Sequence, residues 1–174
     1  MSDKRSLTHY YEAVPRLVVR RVINRQDRLM AALCDERLVF KKDLNPFLIT
    51  DKRYEPEYLL GILNSRLISY LYVNTSAIAT KDDFRQTTLA ELRQLPIPRP
   101  SDNEGAVLVS KVKKTIRRKR LDANADTAEI ERQIDQIIYQ IYDLTRDEIA
   151  IVESKSVWIS EGKLSILRYE IHVM

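Results

Sequence analysis

Three prolines at alternate positions constrain this chain more sharply than any other feature of its sequence. Pro96, Pro98 and Pro100 are half of the six prolines present. Each fixes its own φ and lacks a backbone N–H, so their segment cannot continue a helix or lie inside a sheet. Leu95 and Ile97 alternate with the prolines and are apolar enough to favour burial. An apolar run that stiffens into an extended stretch is expected where one structural unit ends and another begins.

The residues before the prolines predict a small β-sheet followed by a helix. Short apolar and β-branched stretches, separated by polar turns, indicate three or four mostly antiparallel strands. The helix is indicated by Pro56, which suits a first helical position, and by apolar residues at three- and four-residue steps after it. The predicted strands are residues 16–23, 29–34, 37–42 and 47–50, and the predicted helix is residues 57–73.

The residues after the prolines predict helices. Apolar residues at 109, 112 and 116 indicate one helix, and residues 145–148 indicate the start of a short third helix. Between them, apolar side chains form a heptad seam, which suits pairing with another helix, so a homodimer through residues 130–144 is one expectation. The seam consists of Ile130, Ile134, Ile137, Ile141 and Leu144.

Helix starts can be placed more finely from pairs in which Ser, Thr or Asp precedes Glu by three residues, the spacing of a capping box. Four such pairs occur, at Thr88 with Glu91, Ser101 with Glu104, Asp126 with Glu129 and Thr145 with Glu148.

The fold class predicted is therefore α+β (mixed α/β), with a small mostly antiparallel sheet, a core helix and a helical hairpin or coiled-coil-like arm. The predicted units are an α/β domain (10–98), a proline-containing linker (99–104), a helical arm (105–154) and a terminal β-hairpin (155–174).

Composition narrows the classes of protein that fit. The chain has 29 Lys and Arg against 25 Asp and Glu, a net charge of +4, which permits an acidic partner such as nucleic acid without requiring one. The single cysteine, Cys34, rules out an internal disulfide and a cysteine-based zinc site and favours a reducing, cytoplasmic setting. The apolar runs are too short for a membrane span.

Catalytic patterns are weak. Glu153 and Lys155, with an upstream aspartate, can be fitted to a magnesium-dependent nuclease, but they fall on predicted helices rather than on adjacent strands. Asn45–Phe47 is better interpreted as a turn before a strand than as a methyltransferase motif. The sequence therefore predicts no catalytic site, no metal and no cofactor in this chain.

Three groups of polar and basic residues are candidates for binding. Arginine can bind guanine with two hydrogen bonds and glutamine can bind adenine, whereas clustered cations suit a phosphate backbone. The first group is on a predicted strand-to-strand loop, the second on a long polar loop, and the third on a helix with seven basic residues in ten. The groups are Arg25, Gln26 and Arg28; Thr80, Lys81, Arg85 and Gln86; and Lys113, Lys114, Arg117 and Arg118. Alternatively, the first group is only an exposed turn, and the third is a solvated face that pairs with the acidic residues 126–131.

The order of these motifs resembles the TaqI-like specificity domain. That domain follows the catalytic domain in type IIG restriction–modification enzymes and related adenine-N6 DNA methyltransferases. The matching segments are "PRLVVRR", "LMAALCDERLVF", "LLGILNSRLISYLY" with Leu63, Asn64 and Ser65 at its centre, "LRQLPIP", and the tail at residues 134–153. The exit through Leu-Pro-Ile-Pro into a helix is also similar to type I specificity subunits.

The resemblance implies a module that recognises a short double-stranded DNA sequence while a partner methyltransferase domain or subunit flips and methylates an adenine. S-adenosylmethionine would then bind to the partner. The methyltransferase core itself is absent from these residues. The alternative is an assembly module in which residues 130–144 dimerise the chain or dock a catalytic subunit.

Overall fold

The computed structural model describes residues 12–76, 85–101 and 103–154. Within them, three strands form one antiparallel sheet in the order β2-β1-β3. The strands are β1 (Arg16–Arg20), β2 (Ala31–Cys34) and β3 (Leu44–Leu48). The helices in these ranges are α1 (Pro56–Asn64), α2 (Arg66–Thr75), α3 (Leu89–Leu92), α4 (Glu104–Leu121), α5 (Ala128–Ile141) and α6 (Arg146–Glu153). The predicted α+β class is confirmed, whereas the predicted terminal hairpin lies outside the described residues.

The strand predicted at residues 37–42 was wrong. Strands β2 and β3 both pair antiparallel with β1, so they run parallel to each other and need a connection that returns along the sheet. Residues 35–43, the crossover loop, make that return. The fully buried Arg16 holds the loop, because its guanidinium donates to the carbonyls of Glu36 (3.0 Å) and Leu38 (2.8 Å). The guanidinium also lies 4.9 Å from the centre of the Phe40 ring.

The helix predicted as one unit over residues 57–73 is two helices that meet at Ser65. Ser65 is extended, with φ −68° and ψ 157°. Its hydroxyl accepts from the N–H of Ile68 (3.1 Å), which caps α2, and donates to the carbonyl of Ile62 (2.7 Å). The break therefore comes from a serine whose side chain competes with the helical backbone.

Two of the four predicted helix starts are confirmed. Thr88 caps α3 by accepting from the N–H of Glu91, and Thr145 forms a complete capping box with Glu148 at α6. The other two were wrong by one or two residues, because α4 is preceded by Asn103 and α5 by Thr127.

Helix α4 packs closely against α1. A Cβ atom added to Gly61 would lie 2.9 Å from a methyl group of Val112 and 3.0 Å from one of Leu108. Lys113, one residue further along α4, lies beside Glu55 at the start of α1, so the two helices run antiparallel. The absence of a side chain at Gly61 thus allows the close approach of α1 and α4.

The proline segment is buried between the two parts of the chain. The hydroxyl of Tyr58 on α1 donates to the carbonyl of Pro98 (3.2 Å), and that of Tyr142, after α5, donates to the carbonyl of Pro96 (2.6 Å). One buried apolar cluster includes side chains from the sheet, from α1 and α2, from the proline segment, and from α4 to α6. The boundaries at 98, 104 and 154 remain a prediction about separate units.

The isoleucine seam of α5 faces the chain's own core to a large extent. Ile130 and Ile134 of the predicted seam are buried, and the fully buried Ile138, which the prediction did not include, joins them. Ile137 and Ile141 are partly buried against the same cluster. These side chains pack within the chain itself, and the homodimer through residues 130–144 remains a prediction. No helix in the described ranges is long and apolar enough to cross a membrane.

We expect Gly61→Ala to lower the free energy of unfolding by about 1 kcal/mol or more, because the new methyl group overlaps the side chain of Val112. Urea unfolding of the two proteins measures the change. The double variant Gly61→Ala with Val112→Ala should lose less stability than the sum of the two single variants, since the smaller side chain makes room. Additive losses would contradict the proposed contact.

Candidate nucleic-acid interface

The hairpin loop between β1 and β2, residues 21–30, is a tightly folded turn. The side-chain oxygen of Asn24 accepts from the N–H groups of Gln26 (3.0 Å) and Arg28 (2.9 Å). Asp27 has a positive φ of 57°, which closes the turn. The side chains of Arg25 and Gln26 are exposed at its tip. The loop therefore presents two predicted site residues on a backbone that hydrogen bonds hold in place.

Residues 85–87 lie directly beside this loop. The N–H of Ile23 donates to the carbonyl of Arg85 (3.1 Å), and the N–H of Thr87 donates to the carbonyl of Arg21 (2.7 Å). Between these bonds, Val22 and Gln86 form an antiparallel bridge. The structure thus brings together two predicted groups that are about 60 residues apart in the sequence.

Side chains also join the two segments. Arg85 forms a salt bridge with Asp27. The Nε of Arg21 donates to the side-chain oxygen of Gln86 (3.1 Å). Thr80 and Lys81, which were predicted to belong to the same group as Arg85 and Gln86, lie outside the described residues.

The sequence interpretation missed a third segment at this end of the sheet. Lys41 and Lys42, at the end of the crossover loop, are exposed, and the carbonyl of the next residue, Asp43, accepts from the N–H of Arg21 (2.9 Å). The exposed Arg20 lies next to Arg21 at the end of β1. These lysines were missed because residues 37–42 were predicted to be a strand. Only a crossover loop brings Lys41 and Lys42 to the end of β1. We call the following residues the loop cluster: Arg20, Arg21, Arg25, Gln26, Lys41, Lys42, Arg85 and Gln86.

Arg28 has a different role from its neighbours in the loop. Its guanidinium donates to the carbonyl of Asn64, the last residue of α1, at 2.5 Å. The amide of Asn64 in turn accepts from the N–H of Ala31 (2.8 Å) and donates to the carbonyl of Ala31 (3.0 Å). The hydroxyl of Ser69 on α2 accepts from the N–H of Leu29 (3.2 Å). The base of the hairpin loop is therefore anchored to the α1–α2 junction, and Arg28 is one of the anchors.

A buried carboxylate from α5 reaches the same junction. Asp135 accepts from the N–H of Arg66 (2.9 Å), the first residue of α2, and its second oxygen lies 3.3 Å from the Nε of Arg66. Burial raises the pKa of Asp135, although the hydrogen bond from Arg66 and the charges of Arg28 and Arg66 act in the opposite direction. The nearby hydroxyl of Tyr139 is buried too, and burial raises its pKa. The helical part of the chain thus supports the junction that anchors the loop.

The basic residues of α4 form a separate group. Lys113 lies 2.9 Å from a carboxylate oxygen of Glu55, and this hydrogen bond raises the pKa of Lys113. Lys114, Arg117 and Arg118 are exposed. We call Lys113, Lys114, Arg117 and Arg118 the α4 cluster. Lys113 therefore pairs with Glu55, which precedes α1, and not with the acidic residues 126–131 as the alternative interpretation expected.

The base of the hairpin loop and the α4 cluster contact opposite ends of α1. Arg28 binds the carbonyl of Asn64 at the end of this helix, whereas Lys113 binds Glu55 at its start. A helix of nine residues is about 13 Å long, so the structure does not bring the α4 cluster into the loop cluster.

The residues of the weak catalytic patterns have structural contacts instead. The Asn45 amide, inside β3 rather than in a turn before a strand as predicted, donates to the Thr87 hydroxyl (2.8 Å) and so helps to hold residues 85–87 against the sheet. Glu153 accepts from the amide of Gln136 (3.5 Å), and Lys155 lies outside the described residues. Within residues 12–76, 85–101 and 103–154, no group of three His, Cys, Asp or Glu residues could hold a metal ion.

Comparison with known proteins gives two matches. The family model of the TaqI-like C-terminal specificity domain matches residues 1–97. A protein of Methanocaldococcus jannaschii, named "Putative type II restriction enzyme and methyltransferase RM.MjaORFECS2P", is 43% identical over 144 residues. These residues are 80% of this chain but 12% of that protein, so the chain spans only a small part of its relative's length. No solved structure matches the chain significantly.

The buried carboxylate of Asp135 makes stability depend on pH. A carboxyl whose pKa is higher in the folded state than its ordinary value of 3.8 binds protons more tightly when folded, so its ionisation removes stability as the pH rises. Asp135→Asn keeps an acceptor for the N–H of Arg66 and cannot ionise. We expect the stability of the unaltered chain, relative to this variant, to fall as the pH increases from about 3 to about 7.

Urea unfolding of both proteins across that range tests this expectation, and taking their difference cancels the other titrating groups. A difference that grows in favour of the unaltered chain at higher pH would show that the hydrogen bond and the arginines outweigh burial.

Proposed function

The chain belongs to the family of TaqI-like C-terminal specificity domains, and from that premise we propose that it recognises a short double-stranded DNA sequence for an adenine-N6 DNA methyltransferase of a restriction–modification system. The observation that carries the proposal is the meeting of residues 21–28 and 85–87 in one cluster. The chain is non-catalytic in this proposal. A partner methyltransferase domain or subunit in the same cytoplasm binds S-adenosylmethionine and performs the reaction.

The loop cluster has the chemistry that base recognition needs. Arg25 can donate two hydrogen bonds to the O6 and N7 atoms of guanine, and Gln26 can pair with the N6 and N7 atoms of adenine. Both side chains are exposed on a turn whose backbone is fixed by Asn24. Recognition by loops held on a rigid sheet suits this task, because sequence preference needs side chains in defined positions.

The charge of the loop cluster supports the same proposal. Residues 20–28, 41–43 and 85–87 contain seven basic residues and two acidic ones. Cations attract the phosphates of any duplex and position the protein on it, whereas contacts to base edges distinguish sequences. We assign the distinction to Arg25, Gln26, Arg85 and Gln86, and leave Arg28 as their support.

The α4 cluster is proposed to contact phosphates. Lys114, Arg117 and Arg118 are exposed on a helix, where they can lie along a phosphate backbone. Lys113 contributes less in this proposal, since Glu55 already binds its ammonium group.

We expect the double variant Arg25→Ala with Gln26→Ala to bind its preferred duplex about tenfold or more weakly and to bind unrelated duplexes almost as before, because base contacts carry the preference. The preferred site would first be selected by the unaltered chain from a randomised duplex pool. Fluorescence anisotropy on that site and on the pool then measures both losses. Equal losses on every duplex would contradict the assignment of Arg25 and Gln26 to the bases.

We expect Lys114→Ala and Arg117→Ala each to weaken binding to all duplexes alike, and to reduce the slope of log affinity against log salt by about 1. Arg146→Ala, which removes an exposed cation from α6, is the control and should change neither quantity. Loss of sequence preference in the Arg117 variant, or an equal effect of Arg146→Ala, would rule out a phosphate contact specific to α4.

A further inference from the structure

Among the described residues, Asp27 is an acidic residue that joins the hairpin loop to residues 85–87. It forms a salt bridge with Arg85, and the side chains are 55% and 19% exposed, respectively. The carboxylate is the more exposed partner, and an ion pair in which one partner is this exposed is screened by water and contributes modestly to stability. The charge of Asp27 is therefore expected to matter less for stability than for the electrostatics of this surface.

The hydrogen bonds that close the hairpin loop do not use the carboxylate of Asp27. The hydrogen bonds that close the turn are accepted by Asn24, whose backbone carbonyl binds the N–H of Asp27 (3.0 Å) and whose side chain binds Gln26 and Arg28. The positive φ of Asp27 is tolerated as well by asparagine as by aspartate. An asparagine at this position would serve the turn equally and would add no negative charge.

A carboxylate in a surface that must approach phosphates acts against binding. Like charges brought together repel, and this repulsion is the same for every DNA sequence. A preferred site can offset it, because base contacts by Arg25 and Gln26 are made only there. Arg85 also has its guanidinium oriented by Asp27 before DNA arrives, which limits the phosphates that it can reach in an arbitrary pose.

On the basis of the proposed function, we infer that Asp27 is a specificity-determining residue, which suppresses sequence-independent phosphate binding by pairing with Arg85 and repelling the DNA backbone. Asp27 contributes selectivity at the expense of total affinity. The ligand that Asp27 would repel is the phosphate backbone of duplex DNA.

The test compares the full 174-residue chain with Asp27→Asn, which keeps the turn and removes the charge. Glu129→Gln is the matched control, because Glu129 is also an exposed carboxylate paired with an arginine, Arg132, but lies on α5. Both substitutions raise the net charge by the same amount. Affinity is measured by fluorescence anisotropy on the selected site and on the randomised pool over a series of salt concentrations, and urea unfolding checks that each variant is folded.

For Asp27→Asn we expect tighter binding to the pool, a salt slope steeper by about 0.9, and a ratio of specific to non-specific affinity that falls about threefold or more. Glu129→Gln should leave the ratio unchanged. A ratio unchanged in Asp27→Asn, or changed equally in Glu129→Gln, would overturn the inference while the unaltered chain still showed its preferred site. Absence of any preferred site for the unaltered chain would overturn the proposed function and this inference with it.

Asp27→Gly separates the effect of the negative charge from the effect of orienting Arg85. Glycine also adopts a positive φ, but unlike asparagine it has no side-chain acceptor for Arg85. Equal losses of selectivity in the Gly and Asn variants indicate that the charge is responsible. A larger loss in the Gly variant indicates that orientation of Arg85 contributes too. Retained selectivity in the Gly variant would contradict the inference.

Discussion

The paired hydrogen bonds between the side chain of Asn64 and the backbone of Ala31 are the contact on which the rest of the structure depends. Strand β2 is at the edge of the sheet, so the N–H and carbonyl of Ala31 point away from β1 and need partners. Asn64 supplies both because α1 ends there, and Ser65 can then restart the chain as α2. Arg28 and Asp135 both bind at the same junction, Arg28 to the carbonyl of Asn64 and Asp135 to the N–H of Arg66. The orientation of the hairpin loop is thus set by helices rather than by the small sheet alone.

Local sequence patterns predicted the elements that are specified by residues close together in the sequence. The apolar spacing over residues 57–73 correctly indicated a core-facing helical segment, and the Thr145 and Glu148 pair located the start of α6. The break at Ser65 was missed because apolar spacing continues through it and only the competing hydroxyl interrupts the backbone. The strand at 37–42 was wrong for a related reason. Its residue types favour a strand, but the order of the sheet requires a crossover in that place.

The candidate site was predictable as a set of residue types and not as an arrangement. Arg25, Gln26, Arg85 and Gln86 were identified from their hydrogen-bonding chemistry, but their proximity results from backbone pairing between residues 21–23 and 85–87, which no local pattern records. Arg28 shows that residue type alone does not predict where a side chain points. Three residues from Arg25, in the same loop and with the same side chain, it turns inward to the end of α1.

The separation of the loop cluster and the α4 cluster determines whether one DNA duplex could contact both. The base of the hairpin loop and Lys113 contact opposite ends of α1, which is about 13 Å long, and the major groove of B-form DNA is about 12 Å wide. If the loop cluster enters the groove as proposed, Lys113 is displaced from the base of the hairpin loop by a distance comparable with the groove width, so the phosphates that border the groove are the part of the duplex that α4 could meet. Helix α4 is held there by its close packing on Gly61 and by the ion pair of Lys113 with Glu55. The helices that anchor the hairpin loop would then also set the spacing between base recognition and phosphate contact, so that both functions depend on the position of α1.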